Sequence, residues 1–199
     1  MKVLIIGATG DVGSAICREL ADRHELIRVG RKSGDLQVNA YDPGSVQRLY
    51  RKVGTIDAVV SAVGIVRYRP LDKHTSASMF FGLQRKVMGQ INLVVYGRNN
   101  VSAGGSFTLT SGVLDVEPTR EGVAASTANG ALAGFIRGAA IEMDRDVRIN
   151  AVGPGLLDVS AAQYGAMFPT QIPVDSEKVG QAYANCVEGT FTGKVVRVT

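Results

Sequence analysis

Gly7-Ala8-Thr9-Gly10-Asp11-Val12-Gly13 spaces its glycines by three and three, directly after the apolar run Val3 to Ile6 and before an amphipathic stretch. A chain that turns there on glycine can bring its backbone against a pyrophosphate, with the free N–H groups and positive dipole end of the following helix facing the phosphates. Gly7, Thr9, Gly10, Asp11, Val12 and Gly13 are therefore candidate dinucleotide-binding residues; a purely structural glycine turn is the alternative. The next apolar run ends in Val29-Gly30-Arg31-Lys32-Ser33. A carboxylate at this place would accept hydrogen bonds from ribose hydroxyls, but the sequence offers cations. Arg31 can stack on adenine and pair with a 2′-phosphate, with Lys32 and the Ser33 hydroxyl as further donors, which favours NADP and leaves NAD as second choice. An exposed basic turn is the alternative here.

The elements that must position these residues follow from hydrophobic period. Lys2–Ile6, Leu26–Val29, Ile56–Ser61, Ser106–Thr110, Val147–Val152 and Lys194–Val198 read as strands, with a further short strand near Leu36–Ala40. Helical patterns fill the gaps: Val12 to Arg23, Pro43 to Val53 behind an Asp42 N-cap, Ser76 to Asn99, Ala124 to Asp144 and Ser176 to Glu188. Alternating units with Val- and Ile-rich strands predict a doubly wound α/β fold, a Rossmann-type parallel sheet of about seven strands flanked by helices. No Pro- or Ser-rich linker and no fixed-period repeat divides the chain, so residues 1–199 are expected to form one dinucleotide-binding domain.

Composition excludes several classes. The 22 Lys+Arg and 18 Asp+Glu leave a formal charge of +4, and the basic residues are scattered in twos, so nucleic acid is not expected as a partner. Cys17 and Cys186 have no partner at metal-ligand spacing and read as buried reduced thiols, and no metal site is expected. The apolar run at the N-terminus is too short for a signal core or a membrane span, which points to a cytoplasmic protein without a membrane partner.

The sequence also resembles the short-chain dehydrogenase/reductase family along its whole length. Ser61-Ala62-Val63-Gly64 stands where the family has its Asn-Asn-Ala-Gly segment, and Thr110-Ser111-Gly112 where its catalytic serine lies. Arg148 to Gly155 is similar to its sixth strand and the Pro-Gly turn that flanks the nicotinamide, here Pro154-Gly155, and Gly193 to Val198 to its closing strand. The resemblance implies a nicotinamide cofactor and hydride transfer to or from a small carbonyl or alcohol substrate. It also implies a homodimer or homotetramer built through the two long helices, the second of which is smooth with Ala131, Ala133, Gly134, Gly138, Ala139 and Ala140.

The departures from the family are equally specific. Its mechanism uses a Tyr and, four residues later, a Lys; aligned back from Ala139 to Met143, those positions hold Ala125 and Asn129, and no Tyr or Lys occurs between Gly112 and Ile149. Lys86 falls where the family has the asparagine of its proton relay. A partly desolvated lysine amine can act as an acid near neutrality, which makes Lys86 the favoured proton donor beside a carbonyl-polarising Ser111. Tyr68, in the loop after Gly64, and Tyr164, in the short lid from Gly155 to Ser176, are the other candidate donors. Arg67 and Arg69 flank Tyr68 and would attract an acidic substrate unless simply solvated. Two readings stand: an NADP(H)-dependent oxidoreductase with a non-standard proton donor, or a catalytically inactive NADP(H)-binding sensor or interaction protein. A cofactor-independent structural subunit is a weaker third.

Overall fold

Val3 and Ile5 pack against one layer of helices and Leu4 and Ile6 against the other, the period-2 signature of a strand covered on both faces. These residues belong to β1 (Lys2–Ile6) in the computed structural model, which describes residues 1–199. The sheet continues through β2 (Glu25–Gly30), β3 (Leu36–Gln37), β4 (Ile56–Ser61), β5 (Val101–Thr110), β6 (Arg148–Pro154) and β7 (Val195–Val198). All pairings are parallel and the order is β3-β2-β1-β4-β5-β6-β7. Since β1 pairs with β2 on one side and β4 on the other, the winding reverses between them and opens a crevice beyond their carboxyl ends.

Helices α1 (Asp11–Leu20) and α6 (Ser176–Glu188) cover one face, placing Ile16, Leu20, Val179 and Tyr183 against Val3, Ile5 and Val60. The other face carries α2 (Pro43–Val53), α4 (Gly89–Gly97) and α5 (Val123–Glu142), with Val46, Leu49, Leu93, Leu132 and Ile136 against Leu4, Val59 and Phe107. The start of α2 is fixed by Asp42, whose carboxylate accepts the Gly44 N–H at 2.9 Å, and by Pro43 in the first turn. Helix α3 (Ser76–Gly82) starts on a reciprocal Thr75–Ser78 capping box.

Two expectations need correction. The helix expected from Ser76 to Asn99 is interrupted by a π-helical turn, Leu83–Met88, between α3 and α4. The side chain of Gln90 takes the Lys86 carbonyl there at 3.1 Å, a side-chain partner for a group inside the widened turn. Strand β5 begins at Val101 rather than Ser106: Ile56 pairs with Val101 and Ala58 with Ser106, so the register slips across Ser102 to Gly105, a small, non-alternating stretch that carries no strand pattern. Of the two free cysteines, Cys186 is buried as expected and Cys17 only partly so. No helix is long and apolar enough to cross a membrane.

Tyr50 on α2 is 2% exposed and donates its phenol to the Leu93 carbonyl of α4 at 2.7 Å, joining two helices of this layer. Tyr50→Phe leaves that carbonyl without its partner and is expected to cost about 1–1.5 kcal/mol. The check is a urea unfolding curve whose midpoint falls while its slope stays constant.

Candidate functional site

At the end of β1, Gly7 adopts φ +87° and its peptide lies against the end of β4; a Cβ there would stand 2.5 Å from the Ala62 carbonyl oxygen. A Cβ on Gly13 would meet the Gly7 carbonyl oxygen at 2.0 Å, so these two glycines allow strand, loop and α1 to close on one another. Gly10 differs: a Cβ there meets nothing nearer than 3.7 Å, which leaves that stretch of backbone open to a ligand. Gly10 is also the N-cap of α1 and makes no side-chain cap, so the helix terminus keeps the character of an anion-binding end. Gly7, Thr9, Gly10, Gly30, Arg31, Ala62 and Val63 line one cleft of about 190 Å³ together with Tyr41. Arg31 makes no ion pair there. These residues fit the adenosine and pyrophosphate end of a dinucleotide.

The second cleft, about 230 Å³, lies beyond β5 and β6. It gathers Ser111, Lys86, Tyr68 and Tyr164 with Val12, Asn129, Pro154 and Gly155, so the four candidate catalytic residues, distant in sequence, share one wall system. Ser111 is 2% exposed, and its hydroxyl donates to the backbone carbonyl of Asn129 at 3.3 Å. Lys86 extends its ammonium to the Ser111 carbonyl at 2.9 Å. Its side chain is half-buried and lines the cleft, and burial pushes its pKa down to about 8 against the opposing pull of Asp115. Asp115 in turn is held by Arg197 of β7 at 2.8 Å. Burial pushes the Tyr68 phenol up to about 12, so it is a neutral hydrogen-bond donor. Asn129 is 1% exposed and its Oδ1 has no partner within the chain, a free acceptor at the wall where the nicotinamide end of a dinucleotide would lie.

The positions of the missing pair are filled rather than empty. Ala125 packs with Val113 and Leu114, and Val66, Tyr68 and Phe168 close over them. Tyr68 meets Phe168 edge to face at 5.5 Å between ring centroids. The lid that carries Phe168 is rooted by a bridge between Leu157 and Val174, with Val174 N–H on the Leu156 carbonyl at 2.7 Å and Asp158 N–H on the Val174 carbonyl at 2.8 Å.

Several expected site residues do other work. Asp11 points its carboxylate at the Ser160 hydroxyl of the lid, 2.5 Å away, and Val12 lines the catalytic cleft rather than the adenosine cleft. Lys32 and Ser33 are exposed and lie outside the adenosine cleft; the Ser33 carbonyl instead sits 2.4 Å from where a Cβ on Gly30 would be. Ser61 is fully buried and lines neither cleft. Gly64 passes beneath Lys86, whose Cγ would lie 2.7 Å from a Cβ at that position. Arg67 stacks on Phe81 at 4.5 Å and Arg69 reaches the Lys73 carbonyl at 3.4 Å, and neither lines the cleft. No cluster of His, Cys, Asp or Glu is arranged to hold a metal ion.

Gln90 is the residue that sequence reading missed. It is fully buried; its Oε1 accepts the Thr110 N–H at 2.8 Å, and its Nε2 donates to the Thr110 carbonyl at 2.8 Å and the Lys86 carbonyl at 3.1 Å. One carboxamide thus ties the turn that carries Lys86 to the residue before Ser111. A glutamine at a core position of a mostly apolar helix was the available signal. Tyr41 is a second: its ring walls the adenosine cleft and is stacked by Arg85 at 4.4 Å.

A family model described as enoyl-(acyl carrier protein) reductase matches residues 8–180. Among solved structures, the protein lin1944 from Listeria innocua is 40% identical with a TM-score of 0.98, covering all of both chains. A small-chain dehydrogenase in complex with NADPH is 20% identical with a TM-score of 0.87, covering 100% of this chain and 96% of its own. A short-chain type dehydrogenase/reductase from Mycobacterium ulcerans is 19% identical with a TM-score of 0.85, covering 98% and 87%. No curated protein matches the sequence.

The Lys86 amine has a measurable signature. Its ordinary value is 10.5 and its folded value about 8, so between these the unfolded chain binds more protons and stability rises with pH. Wild type is expected to gain stability relative to Lys86→Met as pH climbs from about 8 to about 10.5, read as urea midpoints at both ends of the window. A difference that does not change with pH would mean that the ammonium sits in water.

Proposed function

This chain belongs to the short-chain dehydrogenase/reductase family, and on that premise we propose that it is an NADP(H)-dependent oxidoreductase acting on a carbonyl or alcohol with Lys86 as proton donor. The observation that carries the reading is the convergence of Ser111, Lys86 and Asn129 on one cleft beside Pro154 and Gly155. When bound, the reduced nicotinamide supplies a hydride to the carbonyl carbon while the carbonyl oxygen takes a proton, giving oxidised cofactor and an alcohol.

The chain's own contributions follow from the site. The Gly10 backbone and the end of α1 receive the pyrophosphate, and Arg31, free of other partners, pairs with the 2′-phosphate. Asn129 Oδ1 accepts from a ribose hydroxyl, which satisfies an acceptor otherwise left unpaired. Ser111 turns its hydroxyl from the Asn129 carbonyl to the substrate oxygen and polarises it. Lys86, with a value of about 8, is charged near neutral pH and poised to give up its proton as negative charge grows on that oxygen. Tyr68 contributes a neutral phenol at the same wall, by hydrogen bonding rather than proton transfer, and Tyr164 lines the cleft beside it.

The NADPH-bound relative supports the choice of cofactor, together with the unpaired Arg31. Free Cys17 and Cys186 accord with a reducing, cytoplasmic setting. For assembly we favour a dimer through α4 and α5: Gly130, Gly134 and Gly138 leave an open strip along α5, and Ile141 beyond it is 87% exposed. The replacement of the family's Tyr and Lys by Ala125 and Asn129 keeps an inactive NADP(H)-binding sensor as the second reading.

Calorimetric titration with NADPH and NADH is the first test, with tighter NADPH binding expected. Arg31→Ala is expected to weaken NADPH by roughly 1.5–3 kcal/mol and NADH far less, as for a lost charged hydrogen bond; equal weakening would remove the 2′-phosphate contact. In a carbonyl-reduction assay, Lys86→Met is expected to lower kcat by on the order of 10²–10⁴. Tight NADPH binding with no turnover of any carbonyl or alcohol would favour the sensor.

A further inference from the structure

Resting on the reading of the catalytic cleft above, we propose that the substrate is an elongated, uncharged carbonyl compound whose tail leaves the cleft and lies in a second cavity beneath the lid. That cavity, about 410 Å³, is bounded by the segment after Ser111 on one side and by lid residues Thr170 to Val174 on the other. Val113, Gly155 and Gln171 line both it and the catalytic cleft, so the two spaces meet at a shared seam.

Size argues for joint use. Small-molecule sites typically span about 300–1,000 Å³. The catalytic cleft holds about 230 Å³, and in the proposed reaction it must take the nicotinamide end as well as the reacting carbonyl. The second cavity supplies the remaining room. Its floor is anchored, because the Leu157–Val174 bridge pins both roots of the lid and Val174 is itself 6% exposed.

The lining sets the chemistry. Val113, Pro118, Ile172 and Val174 give apolar walls for a hydrocarbon tail. Gln171 holds the Leu156 N–H with its Oε1 at 3.0 Å, and its carboxamide N–H₂ makes no hydrogen bond within the chain. Placed at the seam, that donor suits an ether, ester or amide oxygen a few bonds beyond the reacting carbonyl. The only ionisable side chain lining the second cavity is Glu117, which has no ion-pair partner. In the cleft the only cation is Lys86, already committed to the Ser111 end, and Arg67 and Arg69 are turned away. A carboxylate- or phosphate-ended tail would therefore find no counter-charge along this solvent-open lining and would face the exposed carboxylate of Glu117.

The test is calorimetric binding to the NADPH-loaded protein, and to the protein alone, of para-substituted benzaldehydes and their alcohols. Their tails run from none to a long ether chain and end in methyl, amide or carboxylate. Turnover of each is followed in parallel. The longest neutral member is expected to bind about tenfold or more tighter than the tail-less one, in keeping with burial of a few methylenes. The carboxylate-ended member of equal length is expected to bind about tenfold more weakly than its neutral partner. Thr170→Trp, which fills the second cavity from an exposed lid position, should erase the advantage of the long tail, and Glu117→Lys should reverse the discrimination against carboxylate. Binding that ignores tail length, or prefers the carboxylate in the wild-type protein, overturns the proposal whether or not turnover is seen. Tail-dependent binding without turnover supports it and removes the oxidoreductase reading instead.

Discussion

The site depends on how the sheet is closed where its central strands part. Ser111 directs its N–H to the Val152 carbonyl of β6, so the polar groups of the preceding residue, Thr110, face the β4 side. The ladder between β4 and β5 reaches only to Val60 and Thr108, after which β4 runs out at Ser61 and turns toward the cofactor cleft. Two backbone groups of Thr110 would then be buried without partners, a cost of about 1–3 kcal/mol each. The carboxamide of Gln90 meets both, acting as a one-residue substitute for the missing strand. A helix side chain thus completes the sheet where β4 ends short of β5.

The same side chain explains the placement of a buried amine. By also taking the Lys86 carbonyl, Gln90 holds the π-helical turn against the end of β5, and the turn carries Lys86 across Gly64 to the Ser111 carbonyl. Desolvating an ammonium destabilises its charged form. Asp115, fixed by Arg197 from the last strand, offsets part of that penalty through its charge. The balance leaves a group that still carries its proton near neutrality and parts with it readily, which a fully solvated lysine would not do.

Much of this was legible in the sequence, and the limits have physical causes. The glycine loop, the Asp42 cap with Pro43, and the strands Lys2–Ile6 and Ile56–Ser61 are local signals, and the structure has them at the expected residues. The start of β5 was hidden because Ser102 to Gly105 are small and do not alternate. The π-helical turn was hidden because its residue types do not mark it, and the bond that ties it to β5, from Gln90, is tertiary. Lys86 could be aligned with the proton-relay position, whereas its pairing with Ser111 and its tempered basicity arise only from the fold. Gly64 looked like part of the cofactor segment; its steric role lies under a side chain that is distant in sequence.

A residue as small as Ala125 would by itself leave a void beside Ser111, and voids of that kind cost stability in proportion to their volume. The structure fills the space from two directions, with Tyr68 from the loop after β4 and Phe168 from the lid, meeting edge to face over Val113, Leu114 and Ala125. The lid therefore packs against the cleft as part of its wall, and its first turn is tied to α1 through Ser160 and Asp11. Phe168 is placed by the lid's rooting at Leu157 and Val174, so the wall beside Ser111 and the proposed second cavity depend on the same short segment.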